Sequence, residues 1–169
     1  VVTRRAEAIA PPLNTAPDNP LNPTYSTMAP LPPAAQIIDF GIGKVPQPYD
    51  DFLNAAFADI QEWLAVELPA IYGITFQPVL GIYALYPDRQ DLPELCGDVV
   101  PYEAVEGNAF YAGCGDVIVY DDYFLLPDFV ERLGAAAVGV VAAHEYGHAV
   151  QNRSGFSQLD LPVVDGEQQ

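Results

Sequence analysis

Nine consecutive small and apolar residues, Ala135 to Ala143, run directly into His144-Glu145-Tyr146-Gly147-His148, and this stretch constrains the chain more than any other. No proline interrupts it, and apolar residues occupy every side of the run, as in a helix buried on most sides. The pattern predicts a helix from Gly134 to about Asn152, with Gly155 as its C-terminal stop. On an α-helix residues i and i+4 lie on one face, one turn apart. His144 and His148, the two histidines of the 169-residue chain, therefore stand side by side. Chance would produce this H-E-x-x-H arrangement in roughly one such chain in a thousand or two.

Two imidazoles so placed can converge on one Zn2+ at about 2.0–2.1 Å. Glu145 is turned about 100° around the helix from His144, near enough to reach a water on the metal. Zinc lowers the pKa of such a water to about 7, and a carboxylate can take its proton as it attacks a carbonyl. His144 and His148 are thus candidate ligands and Glu145 a candidate general base. A catalytic zinc takes three protein ligands, and with no third histidine the third should be a carboxylate. Downstream the chain offers Asp160, Asp165 and Glu167. Glu167 leaves room for a loop and the start of a returning helix, and is preferred; otherwise all three are loop acids and the ligand lies beyond Gln169. Gly147 costs about 1 kcal/mol in a helix interior relative to Ala. It is either a tolerated weak spot or the place where another backbone passes close to the metal.

The charge excludes several partners. Against 23 Asp and Glu stand 6 Lys and Arg, a formal charge of -17. A nucleic-acid binder needs a cationic face, and an anionic membrane surface repels such a chain. No segment reaches the ~18 apolar residues of a bilayer span. Eight of the 17 prolines fall within the first 33 residues. Proline lacks an N–H donor and fixes φ, so residues 1–34 are expected to form an extended arm or tether rather than helix or inner strand. That arm could hold the domain to a membrane anchor or an envelope complex, or be a disordered tail. The start at Val1-Val2-Thr3, with no Met, is what processing of an exported precursor would leave, and so would any shortened chain.

Residues 35–169 are expected to form one α+β domain, either whole or lacking its last part. Leu53, Ala56, Phe57, Ile60, Trp63, Leu64 and Leu68 recur at helical spacing after Asp50-Asp51, as in an amphipathic core helix with Trp63 as a packing residue, and Pro69 is expected to end it. Phe76 to Tyr86 reads as a strand or two. Asn108 to Ala112 and Asp116 to Tyr120 read as a hairpin turning at Gly113-Cys114-Gly115. Asp121-Asp122 opens a short helix with Phe124, Leu125 and Phe129 on its apolar face.

The segments Asn108-Ala109-Phe110-Tyr111, Asp116-Val117-Ile118-Val119-Tyr120-Asp121-Asp122 and Ala143-His144-Glu145-Tyr146-Gly147-His148-Ala149-Val150-Gln151 resemble a family of bacterial neutral zinc metallopeptidases. The likeness is greatest to its secreted or lipoprotein-anchored actinobacterial members. It covers roughly residue 90 onward, with the histidine motif and its flanks as the specific part. The resemblance implies a zincin-like fold, a small antiparallel or mixed sheet packed on a buried zinc-binding helix. It also implies a gluzincin-like site with Glu167 as third ligand, because Glu167-x-Gln169 matches the first and third positions of the family's Glu-x-Gln-Ala-Asp-Cys segment. The chain departs from the pattern at Cys114, which stands three residues after Tyr111 instead of next to it.

Cys96 and Cys114 are expected to form a disulfide, with free thiols or metal ligation as alternatives. Such a bridge would fit an oxidising compartment and hence export to the envelope, periplasm or exterior. In zincin-type folds an edge strand runs beside the metal, so Val117 and Val119 are expected to pair with an extended peptide, unless their strand is internal. Tyr111, Tyr120 and Tyr146 are possible oxyanion stabilisers, and Asp121 and Asp122 could favour basic substrate residues. The resulting expectation is a zinc metallopeptidase acting on a peptide or protein. Its rivals are a non-catalytic envelope scaffold or assembly subunit, and a zinc hydrolase of a non-peptide amide or ester.

Overall fold

Residues 35–155 are described by the computed structural model; the arm 1–34 and the acids Asp160, Asp165 and Glu167 lie outside them. The first long element is α1 (Asp50–Tyr72). Asn54, buried on its first turns, accepts hydrogen bonds from the N–H groups of Ile37 and Ile38 and donates to the Ala35 carbonyl. The chain then forms β1 (Gly81–Leu85), the two-residue strands β2 (Glu94–Leu95) and β3 (Asp98–Val99), a single 3-10 turn (Tyr102–Ala104), β4 (Ala109–Ala112) and β5 (Val117–Asp121). Two helices close the described chain, α2 (Leu125–Leu133) and α3 (Ala136–Arg153). The class is α+β, as expected.

The main sheet has the order β1-β5-β4, with β5 parallel to β1 and antiparallel to β4. The hairpin read from Gly113-Cys114-Gly115 is present. The peptide-pairing role expected of Val117 and Val119 is corrected, because β5 is the inner strand. Val117 pairs with Gly81 and Ala112, and Val119 with Tyr83 and Phe110, so neither has a backbone group to spare. All five residues of β5 are buried, as a strand with both neighbours and both faces covered must be. β4 has no second strand beside it among the described residues. Asp121 N–H donates to the Asn108 carbonyl at 2.9 Å. The antiparallel alternation then turns the N–H and C=O groups of Ala109 and Tyr111 away from β5.

Successive side chains of β5 point to opposite faces. Ile118 and Tyr120 meet the helices, in a core with Leu53, Phe57, Val138 and Tyr146. Val117 and Val119 meet Leu95, Tyr102 and Val105 of the loop region. That region is held by the Cys96–Cys114 disulfide, with Cα atoms 5.5 Å apart, within the span such bonds require. Cys96 and Gly97, at φ 59° and 93°, form the two-residue turn between β2 and β3, the positive-φ geometry of tight hairpins.

Three expectations about the helices need correction. α1 continues through Pro69 to Tyr72 and stops at Gly73, whose φ is 67° and whose N–H bonds the Pro69 carbonyl. A proline so near the end forfeits a single intrahelical bond, which the last turn tolerates. Trp63 is not core but 60% exposed. α3 is buried on one face only, through Val138, Ala142, Tyr146 and Ala149, while Val140 is 70% exposed. Among the described residues no helix is long and apolar enough to cross a membrane.

Candidate active site

α3 presents both histidines on its exposed side, one turn apart. Their Nε2 atoms stand 3.1 Å apart, and the rings meet at 87° with centroids 4.7 Å apart. Two nitrogens bound tetrahedrally to one zinc at about 2.0–2.1 Å are about 3.3 Å from each other. The imidazole pair therefore has the spacing that a shared metal ion needs. His148 Nδ1 lies 3.1 Å from Gln151 Oε1. An amide oxygen only accepts, so in the neutral ring Nδ1 carries the hydrogen and Nε2 presents its lone pair outward.

Glu145 is only 5% exposed, and its Oε2 has no hydrogen-bond partner among the described residues. A buried carboxylate oxygen left without a partner is costly, so this atom calls for a water or another polar group beside the histidines. Among the described residues no third His, Cys, Asp or Glu joins the pair to make a three-donor cluster; the sequence-predicted third ligand, Glu167, lies outside them.

Two cavities flank His144 and Glu145. One, of about 400 Å3, is bordered by β4 residues Ala109, Phe110 and Tyr111 and by Gln151 and Asn152 of α3. The other, of about 320 Å3, is bordered by Leu125 and Phe129 of α2 and Val140 and Val141 of α3. Both touch Ala109, so the cleft follows the free edge of β4 from an apolar end to a polar one.

The polar end is braced. Arg153, the last residue of α3, meets Asp116 at 2.7 Å and donates to the carbonyls of Gln77 and Pro78. Asp116 accepts the Tyr111 hydroxyl at 2.8 Å, and that hydroxyl accepts from Asn152 at 3.2 Å. Burial and the Asp116 contact push the Tyr111 pKa up, so the phenol keeps its proton. Of the three tyrosines considered for oxyanion stabilisation, Tyr111 alone lines the cleft. Tyr146 accepts from the buried Val79 N–H, and Tyr120 is enclosed in the core.

Asp121 and Asp122 do not face the cleft. Asp121 is fully buried and accepts from the N–H groups of Tyr123, Phe124 and Leu125, so its negative charge sits at the start of α2. Asp122 is buried against Lys44, 2.5 Å away. Of the two readings of Gly147 the described residues favour the tolerated weak spot, since no described atom outside its own helix backbone lies within 4 Å of where its Cβ would be. No neighbouring backbone among the described residues needs that space.

No protein-family model, no curated protein and no solved structure matches this chain. Three features of the cleft escaped the sequence reading: the β4 edge, the apolar wall from α2, and the Gln151 contact. The last had a legible signal, an amide three residues after His148 on a helix and therefore on the same face.

Proposed function

We propose that this chain is a zinc-dependent metallopeptidase with a zincin-like fold, cleaving extended peptides along β4. The observation that carries the reading is the pair of imidazole Nε2 atoms 3.1 Å apart in a cleft that Glu145 also lines. His144 and His148 would hold the metal, with Glu167 as third ligand. Zinc bound there would supply Lewis-acid activation of the attacking water and of the scissile carbonyl. The Glu145 carboxylate, which lines both cavities, would take the proton of the attacking water and return it to the leaving nitrogen. Its burial raises the strength of this interaction by excluding bulk solvent. The N–H and C=O groups of Ala109 and Tyr111 receive the peptide backbone, in the place of a second strand partner that β4 lacks among the described residues. Leu125, Phe129, Val140 and Val141 accept an apolar side chain next to the reacting bond. The Cys96–Cys114 bridge supports an exported location, where disulfides persist.

The test compares wild type with Glu145→Gln for bound zinc and for hydrolysis of a peptide library. Both proteins should bind zinc, and the variant should lose about two orders of magnitude or more in rate. Wild type that binds zinc and is no more active than the variant would overturn the reading in favour of a non-catalytic scaffold.

A further inference from the structure

About a third of a turn round α3 from the histidines lies an apolar groove, a cavity of about 320 Å3 between α3 and the C-terminal half of α1. Ile60, Trp63, Leu64 and Ile71 form one wall, and Ala143 and Gly147 lie along its floor. Trp63 and Ile71 are each 60% exposed. Large apolar side chains left open in one place mark an interaction surface more often than chance. Gly147 contributes to the shape of this groove. A helix-interior glycine costs about 1 kcal/mol relative to Ala. Here a Cβ would meet nothing within 4 Å among the described residues. No described neighbour requires the glycine, and its missing side chain leaves the floor of the groove open. Ala143 and Gly147, four residues apart, leave a shallow track along α3 on which another helix can approach closely.

The charge of that occupant follows from where the cations are. Lys44, Arg89, Arg132 and Arg153, all the Lys and Arg of residues 35–155, are each ion-paired with an aspartate. α1 carries Asp50, Asp51, Asp59, Glu62 and Glu67 and no basic residue. Glu67 is the charged residue that lines the groove. An acidic partner would be repelled by Glu67, whereas a lysine or arginine beside an apolar stripe would meet complementary charge.

We propose that the groove between α1 and α3 is a docking site for a basic amphipathic helix of a partner protein, which lays its apolar stripe over Gly147 and its cationic flank against Glu67. This site does not depend on zinc or on peptidase activity. Trp63 is the one tryptophan of the chain, so its emission reports occupancy directly.

The experiment titrates the full chain with a synthetic Leu/Lys helical peptide of about 14 residues, enough for about four turns. A Leu/Glu peptide of the same pattern serves as control, and both peptides lack aromatic residues. The expected result is a saturable blue shift of Trp63 emission with the Leu/Lys peptide and none with the Leu/Glu peptide. Gly147→Leu, which fills the floor, and Glu67→Lys, which reverses the flank, should each raise the apparent Kd about tenfold or more, about 1.4 kcal/mol. Glu67→Gln should give an intermediate loss, and circular dichroism should report a folded chain for each variant. Equal responses to the two peptides, or no response to either, would overturn the proposal. So would a blue shift that grows with protein concentration alone, which would make a second copy the occupant. Emission already blue-shifted in the dilute chain would assign the groove to other residues of this same chain.

Discussion

Nδ1 of His148 lies 3.1 Å from Oε1 of Gln151, one turn further along α3. The contact joins a side chain that faces the cleft to one that sets its tautomer. Because the amide oxygen accepts only from N–H, the lone pair of His148 is directed to Nε2, toward His144.

Gln151→Ala should therefore weaken zinc binding by about ten- to a hundredfold, the usual consequence of removing the partner that orients a ligating histidine. Competition against a chelating dye measures this without recourse to activity. Gln151→Glu, which keeps an acceptor at the same place, should recover most of the affinity. An unchanged affinity in Gln151→Ala would remove the contact from any account of the metal site.

Proline scanning separates the two strands of the hairpin. Ala109→Pro removes an N–H that points away from β5, so the ladder survives. Zinc binding should persist while peptide cleavage falls by about tenfold or more, from the loss of a backbone hydrogen bond to the substrate. Val119→Pro removes an N–H inside the ladder on the buried inner strand and leaves the facing carbonyl without its donor, which should cost about 1–3 kcal/mol before any steric clash. Thermal melting and cleavage assays of both variants decide the matter. Ala109→Pro retaining full cleavage would show that substrate does not use the β4 edge.

The pH dependence of stability should carry an unusual contribution from Asp122. Burial, opposed by the Lys44 contact and assisted by the nearby Asp50, pushes its pKa up from 3.8 to about 6. The folded state then holds this proton more tightly than the unfolded chain does. The stabilisation is fully present below about pH 4 and lost as the pH rises through about 6, the reverse of a carboxylate whose pKa is depressed. A shift of about two units amounts to roughly 3 kcal/mol. Denaturant unfolding at a series of pH values should find that Asp122→Asn, measured against wild type, gains relative stability between pH 4 and pH 6. A difference between the two proteins that stays flat over this range would contradict the expectation.

Much of the site was legible from sequence because its determinants are local. His144, Glu145 and His148 are placed by helical geometry alone, and a continuous helix between Gly134 and Gly155 needed only a run that no proline interrupts. The Cys96–Cys114 pairing followed from there being two cysteines in a loop-rich stretch. The order of strands was harder. β4 and β5 are both short and apolar, and sequence adjacency says that they pair without saying which one has a second partner. The run Val117-Ile118-Val119-Tyr120 did carry a hint, since a strand covered on both faces loses the alternation of a half-exposed one. Trp63 misled for a related reason: it stands at core spacing on α1, yet among the described residues nothing covers that part of the helix.

The amino-acid sequence by itself determined the α+β class, the helix that presents two imidazoles one turn apart, and the carboxylate beside them, because these depend on backbone periodicity over a few residues. Only the tertiary structure decided that β5 is enclosed, that β4 offers its edge to the cleft, that Asp121 and Asp122 serve the fold, and that Gly147 opens on a groove. Those outcomes depend on contacts between segments far apart in the chain, and periodicity within one segment carries no information about what lies across from it.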